Sequence, residues 1–553
     1  MNVLVLNLTR LGDLLQSQAT VSGLAAKGHR VALVCLENFA PAAALMRDVS
    51  VVFPLRGARL LARLDADWRG ALAEHRRFVD EVRASFAPDA VINLTPSEPA
   101  RLLARTFQAP QTLGFALDEL GFNADTSLWA AFLQLAATSR GASPFNIVDM
   151  FRRIAGLDAL GGLDGLDRPG ESFGLRGPTD DEKQAGRQRL AALLPASLPV
   201  ESVRGFVALQ LGASEDRRRW PVDSFAQVAR GLARAGYAPV LFGTESEKPL
   251  AARLVAAINA VETKGAAAGS GTAPVLDLTG ATNLRELAAT LCACGLLITN
   301  DTGTMHLAAG LGVPCLAIFL CTAQPWDTGP YLPGCISLEP DFPTATGPCH
   351  PCAFGSTCGH DLACRRAIEP AGVLALAETM LAGGASELVR VPGARVWRSV
   401  MGADGLLDLE SLSGHEDCDR TRLIRLQRAL YRPYLDGQEL PEVLPSAGLS
   451  PETAQGMARC VGEVLSLLNL LQRQGELLSR DPLPAMKTKF LATWQRVKST
   501  LEAQERLALL SWLWTFEAER PGLDLAGILA LAQRFARLLG RMQQCVGVGT
   551  VVA

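Results

Sequence analysis

Residues 294–319 read CGLLITNDTGTMHLAAGLGVPCLAIF. The apolar run ending at Asn300 has the length and content of a buried strand, and MHLAAGLG after Gly303 has the small and apolar residues of a helix packed upon it. A further short apolar run, PCLAIF, follows at once. Strand, loop, helix and strand within so few residues is the pattern of a parallel α/β sheet. The polar insert NDTGTMH therefore falls just beyond the carboxyl end of a parallel strand, where ligands bind in open α/β sheets. Thr302, Gly303 and Thr304 present backbone N–H groups at a helix start, and unsatisfied donors together with the macrodipole favour an anion such as phosphate. Asp301 and Thr302 could instead serve only as caps. His306, one turn in at the same mouth, adds a donor for phosphate or sugar, although single histidines are often satisfied structural groups.

The same rhythm runs through most of the chain. NVLVLNL, RVALVCL and DAVINL alternate with helical stretches near the start; GFVALQL, APVLFGT, VLDLTG and GLLITN do so later. Between them, GLDALGGLDGLDRPGESFGLRGPTDD is rich in Gly, Pro and Asp and reads as an interdomain link. This gives an α/β first domain over 1–172 and a second over 173–395, each doubly wound. The small-residue insertion TKGAAAGSGTAP in the second reads as a mobile surface loop. From about residue 396 strand signals fade and Leu, Ala, Gln and Arg dominate, so 396–553 is expected to be an all-helical module of unassigned role. Its last helix carries an apolar stripe from Leu525 to Met542. Core packing is the ordinary use of such a stripe, and peripheral contact with a membrane or a protein partner is the alternative.

With 553 residues, the chain is long enough for several domains. Its net charge of −3 offers no general grip on nucleic acid or acidic lipid. The N-terminus MNVLVLNLTRLGD lacks the basic region and apolar length of a signal peptide, and no segment is apolar over the length needed to span a bilayer, so a cytoplasmic protein is expected. Most of the thirteen cysteines sit in apolar company, as buried thiols of a reducing compartment do.

Two further loops follow strands. VLVLNLTRLGDLLQS has a single Gly12 and lacks the G-x-G-x-x-G spacing of a dinucleotide site, which disfavours a nicotinamide dehydrogenase. Asp13 there either complements a helix dipole or does chemistry. In LQLGASEDRRRWPVDSF, Arg217, Arg218 and Arg219 read either as a solvated loop or as a convergent set for a diphosphate.

Taken together, LNLTRLGDLLQS, LQLGASEDRRRWP and NDTGTMHLAAGLGVPCLAIF followed by TAQPWDTGP resemble glycosyltransferase family 9, the lipopolysaccharide-type heptosyltransferases, over residues 1 to about 385. The resemblance implies a GT-B fold, two Rossmann-like domains facing a cleft. It implies an inverting transfer of a sugar, heptose from ADP-heptose, to a saccharide acceptor of the lipopolysaccharide core type or to a protein, without a catalytic divalent metal. By the same resemblance Asp13 matches the catalytic base, Asp301 the acid holding the donor sugar, and Thr302, Gly303 and His306 positions around the diphosphate. Arg218 stands where the family usually has Lys, a planar fork in place of a point donor. Glu247 is the best match for the ribose-binding acid, with Glu245 two residues away. A non-catalytic sugar-nucleotide scaffold, or an epimerase or hydrolase of the same fold, are the competing readings. An enzyme of this class acting at a lipid-linked acceptor would be cytoplasmic or peripheral to the inner membrane.

One cluster stands apart. GPCHPCAFGSTCGHDLACRRAIEP, residues 347–370, places Cys349, Cys352, Cys358 and Cys364 in one short loop at 347–366 with His350 and His360 between them. Four thiolates can enclose a structural iron or zinc ion in place of a core, with reduced thiols or local disulfides as alternatives. The spacing resembles the cysteine finger of autotransporter heptosyltransferases, which implies iron and a protein acceptor. The near-neutral charge and absence of basic-aromatic repeats exclude a nucleic-acid module.

Overall fold

The computed structural model describes residues 1–138, 143–157, 173–265, 273–344, 347–353, 355–384, 390–520 and 522–547. The expected boundary at 172 and most of the TKGAAAGSGTAP insertion lie outside these residues.

Two parallel sheets form the α/β part. The first holds β1 (Asn2–Leu6), β2 (Arg30–Leu36), β3 (Val49–Leu55), β4 (Ala90–Asn93) and β5 (Gln111–Gly114) in the order β3-β2-β1-β4-β5, all parallel. The second holds β6 (Phe206–Gln210), β7 (Ala238–Phe242), β8 (Leu276–Asp277), β9 (Cys294–Asn300), β10 (Cys315–Ile318) and β11 (Ile336–Pro340). Beyond a two-stranded ribbon of β12 (Pro343–Thr344) and β13 (Gly347–Pro348), it is extended by β14 (Ala394–Met401) and β15 (Leu407–Ser411), in the order β15-β14-β11-β10-β9-β6-β7-β8. In each sheet the chain starts centrally, winds outward and then reverses, so β1 and β4 flank one switch point and β6 and β9 the other. Crevices for ligands open outside the carboxyl ends at such points.

The strands are near-continuous apolar runs because helices cover both faces. Leu4, Val5 and Leu6 of β1 and Leu296, Leu297 and Ile298 of β9 are fully buried. Helix starts are set by polar caps: Thr179 with Glu182 opens Asp180–Ala192, and Asn283 with Glu286 opens Leu284–Leu291, each a reciprocal capping box.

The helical region begins later than the sequence suggested. ARVWRSVM and LDLES form the antiparallel strands β14 and β15 on the edge of the second sheet, where alternation of buried and half-buried residues suffices. One compact unit comprises residues 1–116 and 145–414, the other residues 117–144 and 415–553. The apolar helix Leu128–Thr138 thus groups with the helices Asp419–Leu435, Pro451–Arg480, Pro484–Glu502, Ala508–Ala518 and Leu525–Val546. The stripe of the last helix is core: Leu531, Ala532, Phe535, Leu538, Leu539 and Met542 are buried. Gly475 lets it approach, since a Cβ there would sit 2.4 Å from Leu529 Cδ2. Among the described residues no helix is long and apolar enough to cross a membrane.

Candidate active site

Asp13 lies in the first turn of a six-residue helix, Leu11–Gln16, that follows β1. The loop before it is built on the buried Asn7, whose side-chain N–H donates to Asp13 O at 3.0 Å and whose Oδ1 accepts from Thr9 N at 3.3 Å. Burial raises the Asp13 carboxyl above its ordinary value of 3.8; Arg10 pulls it down, and the Asp301 charge raises it further. Two carboxylates from different sheets therefore feel each other.

They meet because Gly12 has no side chain. A Cβ there would lie 2.6 Å from His306 Cδ2 and 3.6 Å from Gly303 Cα, so the helices Leu11–Gln16 and Gly303–Gly310 touch backbone to side chain. Gly303 returns the contact, its missing Cβ falling 3.1 Å from Leu11 Cδ2.

Asp301 and Thr302 do not cap the helix that follows. Thr302 has extended backbone and no side-chain capping bond, and its hydroxyl lies 3.2 Å from Thr299 Oγ1. The Gly303–Gly310 N-terminus thus keeps its backbone donors free of side-chain caps, as an anion site requires. Asp301 instead takes a charge-assisted hydrogen bond from Arg218, with side chains only 10% and 11% exposed. Arg218 Nη1 also donates to Ser214 Oγ at 3.3 Å, and its Nε is buried without a hydrogen-bond partner. His306 is 5% exposed, its Nδ1 has no partner, and burial pushes its pKa down to about 4 against a small opposing pull from Asp301. At neutral pH it is an uncharged imidazole.

The three arginines do not converge. Arg217 turns to Glu215 at 2.6 Å and to Ser356 O at 3.2 Å, while Arg219 bonds Ala213 O at 3.0 Å and Asp216 at 3.4 Å. Only Arg218 reaches Asp301. Glu247 stands past β7 and lies over Gly212, where a Cβ would fall 1.4 Å from its Oε1. It also accepts from Thr244 N at 2.7 Å and Gln210 Nε2 at 3.3 Å. Glu245 pairs with Lys248 at 2.8 Å and lies against Gly280. Of the two acids, Glu247 is the one that packs against the end of β6 and the loop after it.

Sequence reasoning passed over Asn300. Its side chain donates to Leu211 O at 2.9 Å and Gly212 O at 3.1 Å and accepts from Trp220 N at 2.9 Å, stitching the arginine loop to the end of β9. A buried amide at the last position of an apolar strand was the available signal.

The cysteine loop packs near this mouth. Cys349 feels Cys352, Cys364 and Cys358, and a fifth thiol, Cys321, has its pKa pushed up by its neighbours Cys352 and Cys364. Cys358 Sγ accepts from His360 N and Leu362 N, each at 3.4 Å. His350 is taken up elsewhere, its Nε2 3.0 Å from the buried Glu339, which also accepts from Trp397 Nε1 at 2.8 Å. The donor chemistry is that of a soft-metal site, yet among the described residues no three His, Cys, Asp or Glu side chains are placed to hold one ion.

Residues 172–339 match the family model for glycosyltransferase family 9 (heptosyltransferase). Lipopolysaccharide heptosyltransferase 2 of Salmonella typhimurium is 30% identical over 129 residues, 23% of this chain and 34% of that protein. Its Escherichia coli namesake is 32% identical over 102 residues, 18% of this chain and 27% of that protein. These alignments span about a third or less of the relatives' length. Among solved structures, the glycosyl transferase family 9 protein of Veillonella parvula superposes with a TM-score of 0.50 at 22% identity, covering 69% of this chain and 97% of that one, a likeness of fold. The GT-B arrangement of two Rossmann-like halves is thus shared with that structure, and residues 172–339 are similar to glycosyltransferase family 9.

Proposed function

We propose that the protein is an inverting glycosyltransferase that moves a sugar, heptose from ADP-heptose, onto a saccharide of the lipopolysaccharide core type or onto a protein. The observation that carries the reading is the contact at Gly12, which sets a half-buried carboxylate from one half against an uncapped helix start, Arg218 and Asp301 from the other. Support for heptose comes from the names of the matched relatives, and the family-model match, residues 172–339, does not reach Asp13.

In this mechanism Asp13 takes the proton of the acceptor hydroxyl as that oxygen attacks the anomeric carbon. The bond to the nucleoside diphosphate breaks in the same displacement, and the configuration inverts. Arg218 and the N–H groups at the start of Gly303–Gly310 stabilise the charge that develops on the departing diphosphate. Asp301 accepts from donor-sugar hydroxyls, neutral His306 donates without adding charge, and Glu247 accepts from the ribose. The raised Asp13 pKa suits a base, because a carboxylate held above its ordinary value is a better proton acceptor once ionised.

The cysteine loop is proposed as the seat of iron or zinc on its donor set alone. Elemental analysis of the purified protein decides this: one equivalent of either metal, lost on Cys352→Ser, supports it, and metal-free protein with unchanged folding contradicts it. The transfer itself is tested with ADP-heptose and a panel of saccharide and peptide acceptors. A glycosylated product with inverted anomeric configuration is expected; hydrolysis or epimerisation of the donor with every acceptor would replace the transferase reading.

A further inference from the structure

The loop that carries Arg218 has little to hold it in place by itself. Asp216–Arg218 is a single 3-10 turn, closed by Arg218 N to Glu215 O and Arg219 N to Asp216 O at 3.0 Å each, and turns this short persist only when outside groups fix them. Those outside groups come from the cysteine-rich segment. Arg365 Nε donates to Arg219 O at 2.7 Å and its Nη1 to Asp216 Oδ2 at 3.3 Å. On the other side of Arg218, Cys321 Sγ donates to Arg217 O at 2.8 Å, and Arg217 Nη1 reaches Ser356 O at 3.2 Å. Cys352 N in turn donates to Cys321 O at 2.8 Å, seating the segment on the end of β10.

We infer that the segment around residues 349–366 is a brace for the donor site: Arg365, with Cys321, is a positioning residue that fixes the backbone on both sides of Arg218 and so sets its reach toward a diphosphate. This rests on the nucleotide-sugar reading above and extends it to residues that touch no substrate. Both carbonyls flanking Arg218 are held from outside the loop, one of them by a cationic donor, and charge-assisted hydrogen bonds are the stronger kind. Displacing a positioned group by a fraction of its reach weakens every contact it makes.

The test is calorimetric titration of the full-length protein with ADP and, separately, with adenosine, which lacks the diphosphate. Arg365→Met is expected to raise the Kd for ADP about tenfold, the loss of one charge-assisted hydrogen bond, while leaving adenosine unchanged. Arg365→Lys, which keeps the charge and one donor, is expected to recover part of the loss. Arg366→Met is the control, since Arg366 is exposed and forms a long ion pair with the exposed Asp361 at 3.9 Å. An ADP Kd for Arg365→Met within twofold of wild type, or equal losses for ADP and adenosine, overturns the inference. Should Arg365→Met fail to fold by circular dichroism, Asp216→Asn decides. Its carboxylate is exposed, and a smaller weakening of ADP alone supports the brace while none overturns it. Wild-type protein that binds neither ADP nor any other nucleoside diphosphate defeats the donor reading, a result distinct from failure of the brace.

Discussion

The two halves share a winding but not a chemistry. At the switch point of the first sheet, a six-residue helix presents one carboxylate, raised by burial, on a loop built from Asn7. At the same place in the second sheet stand an uncapped helix start, a half-buried arginine and a neutral histidine, the proposed anion site. Equivalent topology delivers a carboxylate on one side and an arginine beside free helix N–H groups on the other, which in the proposed function are a proton acceptor and a counter-charge. The fold supplies the two mouths, and a few side chains decide what each is for.

Breaking the first mouth is expected to cost most. Asp13→Asn keeps the shape and removes the proposed base, and transfer should fall by roughly 10²–10⁴-fold with ADP affinity intact. Breaking the second should do the reverse in kind: Arg218→Met is expected to weaken ADP by roughly tenfold or more, through loss of a charge-assisted contact. Gly12→Ala attacks the contact between them, since a methyl at 2.6 Å from His306 must push the ring away. Transfer should drop about tenfold with a smaller change in donor binding, read from kcat and KM with ADP-heptose.

The pH dependence separates the mouths further. Transfer should rise with pH through the Asp13 ionisation, above the ordinary carboxylate range, and this limb should vanish in Asp13→Asn. Stability runs the other way. A carboxyl whose folded pKa is raised stabilises the fold below its unfolded value and loses that contribution as pH climbs through the folded one. Asp13→Asn should therefore melt higher than wild type at pH 7, with the gap closing as pH falls toward 4. His306 is the smallest effect. With its pKa near 4 it carries no charge at neutrality, so ADP affinity should not change between pH 6 and 8 on its account. Its own contribution to stability is present above the unfolded imidazole value and lost as pH falls through about 4.

Much of this comparison was legible before any coordinates. LLITNDTGTMHL shows the switch from strand to helix period around a polar gap, and both the parallel sheets and the place of Asp301 follow from it. Arg217 and Arg219 were less readable, because three consecutive arginines share one composition and only packing tells which faces Asp301. Cys321 was missed for want of proximity in sequence: it lies on the far side of β11 from Cys349, and only the fold brings its thiol to Cys352 and Cys364. LWAAFLQLAAT gave no sign that it groups with distant helices, since an all-apolar helix reads alike in an α/β layer and in a bundle. The edge strands β14 and β15 mix apolar with charged residues too evenly to stand out against helix-forming neighbours.

The division of labour between the mouths is tested most directly by one rate, that of sugar transfer by Asp13→Asn at saturating ADP-heptose. The account predicts a rate at least a hundredfold below wild type, of the order that removal of a general base imposes, from a protein that still fills with donor. Transfer at the wild-type rate would contradict it.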